Sequence, residues 1–298
     1  MIQVCKIPSP QAILIGFCIV TVKVLNSYGN CKLKWEKKFL KKLYHSCMIA
    51  FSMFSKIPVP NCDWSEENMA YMMCFFPWVG VVVGGLTGLW GILGRNLSWN
   101  GCLYTVILML IPFWVTGGIH LDGLLDTADA LSSWMPRERR LEILKDVHTG
   151  AFAVLTGIVY FVLMYGAYSE VTPDILPFLC LSFPMTRCLS AMSIVSFPKA
   201  RRDGTVAVFS KDASTRRVQA VLILYMLLLT AVNLYLHPVY GAVNCGAAAA
   251  VFVWYYRKAM KYFGGTTGDI AGYFLSICEL VMLLAQVLVH VIERGRVL

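Results

Sequence analysis

Apolar residues in this chain come in long, nearly unbroken runs, where a water-exposed helix or sheet would interleave them with polar positions. Runs over 69–94, 102–119, 151–168, 175–197, 218–236, 239–256 and 271–292 each approach or exceed the roughly 18 to 20 residues that carry a helix across a hydrocarbon core. The pattern predicts an all-α, polytopic integral membrane bundle of about seven transmembrane helices. Open sheets are excluded in lipid, and no alternation of the barrel kind is present. Residues 10–26 are apolar but interrupted by Lys23, and they lack a small-residue cleavage site. Two readings of this stretch stay open, an extra anchor or an extension from a mis-assigned start codon. After the lysines of 32–42, the apolar segment 43–54 is too short to cross and is expected to lie at the interface. The expected organisation is an N-terminal extension, 1–34, and a single transmembrane catalytic domain, 35–298.

Composition agrees with the runs. Of 298 residues, 58% are hydrophobic and only 14% charged, and the mean hydropathy is +0.64, too little polar surface for a soluble domain of this length. The net charge of +9 would fit a nucleic-acid binder if it lay on one soluble face. It lies instead in short loops, so it reads as an orientation signal and no nucleic-acid partner is expected. With 32–42 cytoplasmic, the basic loops 136–145, 199–217 and 257–261 fall on the same side, and Arg95, Glu170, Asp174, His237, Arg294 and Arg296 on the other. This gives N-in, C-out, and it inverts if 43–54 crosses. The 11 cysteines are scattered with no C-x-x-C pair, which reads as small buried hydrophobes. Gly80, Gly84 and Gly88 share one helix face and predict close approach of another helix, within the chain or in a homo-oligomer.

Chemistry concentrates in Thr116-Gly117-Gly118-Ile119-His120-Leu121-Asp122-Gly123-Leu124-Leu125-Asp126-Thr127-Ala128-Asp129-Ala130. Asp122, Asp126 and Asp129 stand at i, i+4 and i+7, one stripe if the segment is helical. Like charges so placed repel, and an all-oxygen set selects a hard cation such as Mg²⁺. His120 reads either as an interfacial histidine or as a group for ligand binding or proton transfer. The segment 137–150 reads as an amphipathic surface helix, with Asp146 and His148 beside Gly150, where a loop can fold back over the aspartates. Arg187 interrupts an apolar run, so it faces either a phosphate or an acid such as Glu279. Gly264-Gly265-Thr266-Thr267-Gly268-Asp269 opens the last run. Glycines there, Gly265 and Gly268 among them, can present backbone N–H groups to an anion, and Asp269 can join a metal shell. Carboxylates, arginines and a glycine-rich helix start on one side fit phosphoryl transfer.

These motifs resemble those of the cobalamin synthase family, the membrane-bound adenosylcobinamide-GDP ribazoletransferases. The resemblance runs from about residue 39 to 290, through Phe54-Ser55-Lys56-Ile57-Pro58-Val59-Pro60, Phe76-Pro77-Trp78-Val79-Gly80, 116–131, 138–152, Ala200-Arg201-Arg202-Asp203-Gly204 and 264–272. It implies a multi-pass protein of the bacterial cytoplasmic membrane with its active site facing the cytoplasm. It implies joining of adenosylcobinamide-GDP to α-ribazole, or its 5′-phosphate, with release of GMP and a requirement for Mg²⁺. On this resemblance Asp122, Asp126, Asp129 and Asp269 are metal candidates. Lys56, Arg140 and Arg202 are phosphate candidates, beside the Arg187 already named from its place in an apolar run, and Asp146 and His120 compete for the role of proton acceptor. The chain departs from the family pattern at Lys56, where arginine is expected, at His148 and at Ala130. Two other functions remain to be weighed. A CDP-alcohol phosphatidyltransferase would carry Asp-Gly-x-x-Ala-Arg, which Asp122-Gly123-Leu124-Leu125-Asp126 lacks. A cation-coupled transporter would place its charges at mid-span in repeated halves, and no repeat is evident.

Overall fold

The computed structural model describes residues 33–99, 101–146, 148–201 and 214–297. The expectations for residues 1–32 and for Arg202, Asp203 and Gly204 lie outside the described residues. The chain divides into two units, Met1–Lys42 and Leu43–Leu298. The second unit carries everything that follows.

The helices in chain order are α1 (Leu33–Phe54), α2 (Glu66–Met69), α3 (Met72–Asn96), α4 (Cys102–Thr116), α5 (Ile119–Ser132) and α6 (Arg137–Ile143). They continue with α7 (Ala151–Ser169), α8 (Leu176–Ser196), α9 (Ser214–Leu236), α10 (Pro238–Phe263) and α11 (Gly268–Val297). Six of them, α3, α7, α8, α9, α10 and α11, are long and apolar enough to cross a membrane. The chain is therefore read as an integral membrane protein. Helix α1 is not one of the six. Its Leu43, Ile49, Ala50 and Phe54 are buried, so the segment expected at an interface packs one face into the protein.

The expected span 102–119 needs correction. Helix α4 stops at Thr116, and Gly117 and Gly118 adopt φ of +66° and +82°, a left-handed conformation that glycine enters without a Cβ penalty. The axis then turns by 91° into α5, so a seventh crossing exists only if the bent pair is counted as one. The 15 residues of α4 rise about 22 Å.

Helix α8 is the central post, in contact with α3, α9, α10 and α11. Its closest neighbour is α3, because Gly80 and Gly84 leave no room for a side chain. A Cβ on Gly80 would stand 2.6 Å from the carbonyl oxygen of Phe183, and one on Gly84 would meet the Cys180 carbonyl. The glycine face expected from the sequence is thus used inside the chain. Deep in the bundle Arg187 Nη1 donates to Glu279 Oε1 at 2.6 Å, and Thr186 Oγ1 donates to the same oxygen at 3.2 Å. Both charged side chains are almost fully buried. Pairing is what makes such burial tolerable, and it takes Arg187 out of the phosphate contacts expected for it.

Candidate active site

Glycine-mediated contacts gather the polar residues at one end of the bundle. Helix α5 is helical as the spacing requires, so its aspartates share a stripe. It crosses the start of α11 with almost no clearance: a Cβ on Gly123 would lie 2.6 Å from the carbonyl oxygen of Asp269, and one on Gly272 would lie 3.3 Å from the Cα and carbonyl oxygen of His120. The hydroxyl of Ser276 donates to the His120 carbonyl at 3.2 Å. This apposition brings Asp122 and Asp126 near Asp269. Asp126 responds to it, its pKa pushed up to about 6 by burial and then by the charges of Asp122, Asp269 and Asp129. Thr267 Oγ1 donates to Asp269 Oδ2 at 3.3 Å.

Asp129 has a different task. Its Oδ2 accepts the backbone N–H of Gly150 and its Oδ1 that of Ala153 at 2.9 Å. Both oxygens therefore cap the start of α7, where unpaired amides and the positive end of the helix dipole favour an anion. The fold-back of the 150 loop over the aspartates is present, but it commits Asp129 to backbone and not to a shared ion. Among the described residues no group of three acidic, histidine or cysteine side chains is placed to hold a metal by itself.

A short strap closes the site from the other side. The segment after α8 pairs with the loop before α11: Lys199 and Thr266 form a parallel bridge, Ala200 N–H donates to the Thr266 carbonyl at 3.1 Å and Thr266 N–H to the Pro198 carbonyl at 2.9 Å. Gly265 lies under this strap, where a Cβ would come within 2.5 Å of Ala200 N and the Pro198 oxygen. Its own N–H donates to the Ala259 carbonyl at 3.2 Å, ending α10. The anion nest expected at Gly265 is therefore occupied by the protein's own carbonyls, while Gly268 stays exposed at the start of α11. Lys199 Nζ donates to the carbonyls of Ile194 and Phe197, and burial lowers its pKa to about 8. The strap delivers Arg201 toward Asp269, whose charge counteracts the lowering of the guanidinium by burial. Arg201 Nη2 is buried without a hydrogen-bond partner.

More cations line this end. The Lys56 side chain lies over Gly117, and the Arg137 guanidinium over Gly264, whose φ of +66° ends α10. Arg140 stacks its guanidinium 4.9 Å from the centre of the Tyr262 ring, and its Nε is buried and unpaired. The two proton-acceptor candidates are placed unequally. His120 is buried with its ring 5.6 Å from that of Phe76 and its Nε2 unpartnered. Asp146 is exposed and accepts from His148 through the backbone N–H at 3.0 Å and makes a 2.7 Å contact with Nδ1. Those contacts hold the Asp146 carboxyl below its ordinary range, which makes it a weak base. Arg137 and Arg201 were missed as site residues. The sequence offered Arg201 only as half of an Arg-Arg pair, and it gave no sign that 198–200 and 265–266 would pair.

The family described as CobS, cobalamin-5-phosphate synthase, matches residues 46–287. The chain belongs to the cobalamin-5-phosphate synthase family. Among similar proteins, an adenosylcobinamide-GDP ribazoletransferase of Lachnoclostridium phytofermentans is 42% identical over 83% of this chain and 95% of its own. One of Clostridium botulinum (strain Alaska E43 / Type E3) is 31% identical over 84% and 99%, and one of Brevibacillus brevis 32% identical over 80% and 96%. No solved structure matches. Membership sets aside the phosphatidyltransferase and transporter readings, and the closed Arg187–Glu279 pair leaves the latter no free mid-span charge there.

Proposed function

We propose that this chain joins the cobinamide phosphate of adenosylcobinamide-GDP to α-ribazole, or to its 5′-phosphate, and releases GMP. The reading rests above all on the Gly123–Asp269 apposition, which sets the α5 carboxylates beside Asp269 and Arg201 at one mouth of the bundle. One or two of the carboxylates Asp122, Asp126 and Asp269 would hold Mg²⁺. Their donor set fits that ion: it is all oxygen, and Mg²⁺ takes one or two carboxylates and completes its shell with water and substrate phosphate. The raised Asp126 pKa reflects burial first and then the neighbouring carboxylates of Asp122, Asp269 and Asp129. When bound, the ion would neutralise the diphosphate and stabilise the departing GMP oxygen.

The remaining work belongs to side chains. Arg201, Arg140 and Arg137, with Lys56 at the rim, would hold phosphate oxygens by charge-assisted hydrogen bonds and line up a ribose hydroxyl that is free in both ribazole and its 5′-phosphate with the phosphorus that carries cobinamide. Asp129, by capping α7, would hold the segment 148–150 over the site. The closed end then faces the cytoplasm of a bacterial inner membrane, the side on which the basic loops lie.

The test supplies purified protein in detergent with Mg²⁺, adenosylcobinamide-GDP and α-ribazole, and measures GMP and adenosylcobalamin. Both should appear in equal amounts and vanish with EDTA. Asp122→Asn and Asp126→Asn should each lower turnover about 10²-fold or more. Undiminished turnover in either variant removes that residue from the ion.

A further inference from the structure

The hydroxyl of Tyr255 sits where three parts of the chain meet. Tyr255 belongs to α10 and is only 1% exposed. Its hydroxyl oxygen lies 2.6 Å from Oγ1 of Thr266, in the loop before α11, and 3.2 Å from Oγ of Ser193, near the end of α8. Ser193 donates its proton to the Ser190 carbonyl at 2.7 Å, so toward Tyr255 it can only accept. The order Thr266 to Tyr255 to Ser193 to the Ser190 carbonyl then meets every hydroxyl proton, as buried hydroxyls require. The ring itself is held by apolar packing, with the Phe274 and Phe197 rings centred 4.7 and 5.5 Å away. Ring and hydroxyl therefore have separable tasks.

The task of the hydroxyl concerns the strap. Among the described residues no other side chain hydrogen-bonds to Thr266. Thr266 is also the residue that pairs through both backbone groups, its carbonyl accepting from Ala200 and its N–H donating to Pro198. Arg201 follows Ala200 directly, so the backbone that carries the guanidinium toward Asp269 is fixed by Thr266, and Thr266 by Tyr255. The other ties act elsewhere. Lys199 Nζ donates to the carbonyls of Ile194 and Phe197, which caps α8 without reaching α10. The bond from Gly265 N–H to the Ala259 carbonyl fixes where the loop leaves α10, and the Thr266–Tyr255 bond fixes how the next residue faces α8.

We infer that Tyr255 is a positioning residue: its hydroxyl seats Thr266 and, through the paired strap, sets where Arg201 stands beside Asp269. The inference rests on the reading of Arg201 as a phosphate contact. The test uses the full chain in detergent, with Tyr255→Phe, which keeps the ring, Thr266→Val, which keeps the shape, Arg201→Ala, and Arg201→Ala combined with each of the other two. Amide exchange followed by mass spectrometry should be at least about fivefold faster over 198–201 and 264–267 in Tyr255→Phe and Thr266→Val, and unchanged where α3 meets α8. With Mg²⁺, adenosylcobinamide-GDP and α-ribazole, each of these two variants should lower kcat/KM about tenfold, while in the Arg201→Ala background each should cost less than about twofold. A tyrosine that only stabilises the core would give losses that multiply. If Tyr255→Phe does not fold, Thr266→Val carries both readouts. Exchange or kcat/KM like the parent's in the folded variants, or losses that multiply with that of Arg201→Ala, would overturn the inference. A parent that releases no GMP would instead overturn the proposed reaction, and the exchange would still decide whether the hydroxyl holds the strap.

Discussion

Replacing Gly123 by alanine tests the contact on which the site depends. A Cβ there would sit 2.6 Å from the Asp269 carbonyl oxygen and 3.1 Å from its Cα, against 3.4 Å or more for an ordinary contact. Both obstructing atoms are backbone, so no side chain can swing away, and α5 must recede from α11 by about 0.8 Å, the difference between 2.6 and 3.4 Å. Overpacking of this kind costs about 1–3 kcal/mol. It exceeds the roughly 0.5–1 kcal/mol that alanine gains over glycine inside a helix, so the net effect is destabilising. A displacement near 1 Å between groups that must share one substrate lowers turnover about 10²-fold. The assay is GMP release at saturating substrates, run beside thermal unfolding in the same detergent. Gly272→Ala, with its nearest atoms at 3.3 Å, should fall between Gly123→Ala and parent, and Gly85→Ala, with nothing within 4 Å, should match the parent in turnover. Gly123→Ala turning over within about twofold of the parent would refute the idea that this crossing poses the carboxylates.

Asp129→Ala should lower stability by about 1 kcal/mol, the loss of the capping acceptors, whereas Asp122→Asn should leave the unfolding midpoint nearly unchanged while reducing turnover; a common effect on both readouts would mean the two aspartates share one task. The folded-state pKa of Asp126, about 6, lies above that of an unfolded aspartate. Below it the carboxyl is protonated, so the Mg²⁺ concentration for half-maximal rate should climb about tenfold per pH unit under pH 6. Without metal, the same raised pKa should add stability as pH falls from 7 through 6 toward 4, fully present below the unfolded value, and a metal-free midpoint that does not rise over that window, or rises equally in Asp126→Asn, contradicts the assignment. Removing one side of the buried Arg187–Glu279 pair, as in Glu279→Gln, should destabilise by about 3–5 kcal/mol, while Arg187→Met with Glu279→Leu should recover most of it; additive losses in that cycle would mean the two charges do not interact.

The long helices were legible because lipid imposes a single requirement, length without charge, that shows directly in the residue pattern. Helix α5 was legible because Asp122, Asp126 and Asp129 kept a helical spacing beyond the apolar run. The break at Gly117-Gly118 was hidden in an apparently continuous stretch, since two glycines after Thr116 read equally as helix or turn until Lys56 is seen lying across Gly117 and Phe113 across Gly118. The division of labour among the aspartates was also hidden. Three identical side chains on one stripe look alike in sequence, and only the arrival of Gly150 and Ala153 beside Asp129 sets it apart. Arg201 reached Asp269 through a strap joining residues more than 60 positions apart (Lys199 with Thr266), a pairing that no local spacing encodes.

The shortness of α4 has a bearing on where in the bilayer the reaction is run. Fifteen residues rise about 22 Å, against a hydrocarbon layer of about 30 Å. With Cys102 at the far surface, Gly117 and the aspartates just beyond it would lie beneath the near surface, in a dimple that water would fill. Two water-soluble reactants would meet there in a notch walled by protein and lipid, and the thickness of the surrounding membrane would set how deep that notch lies.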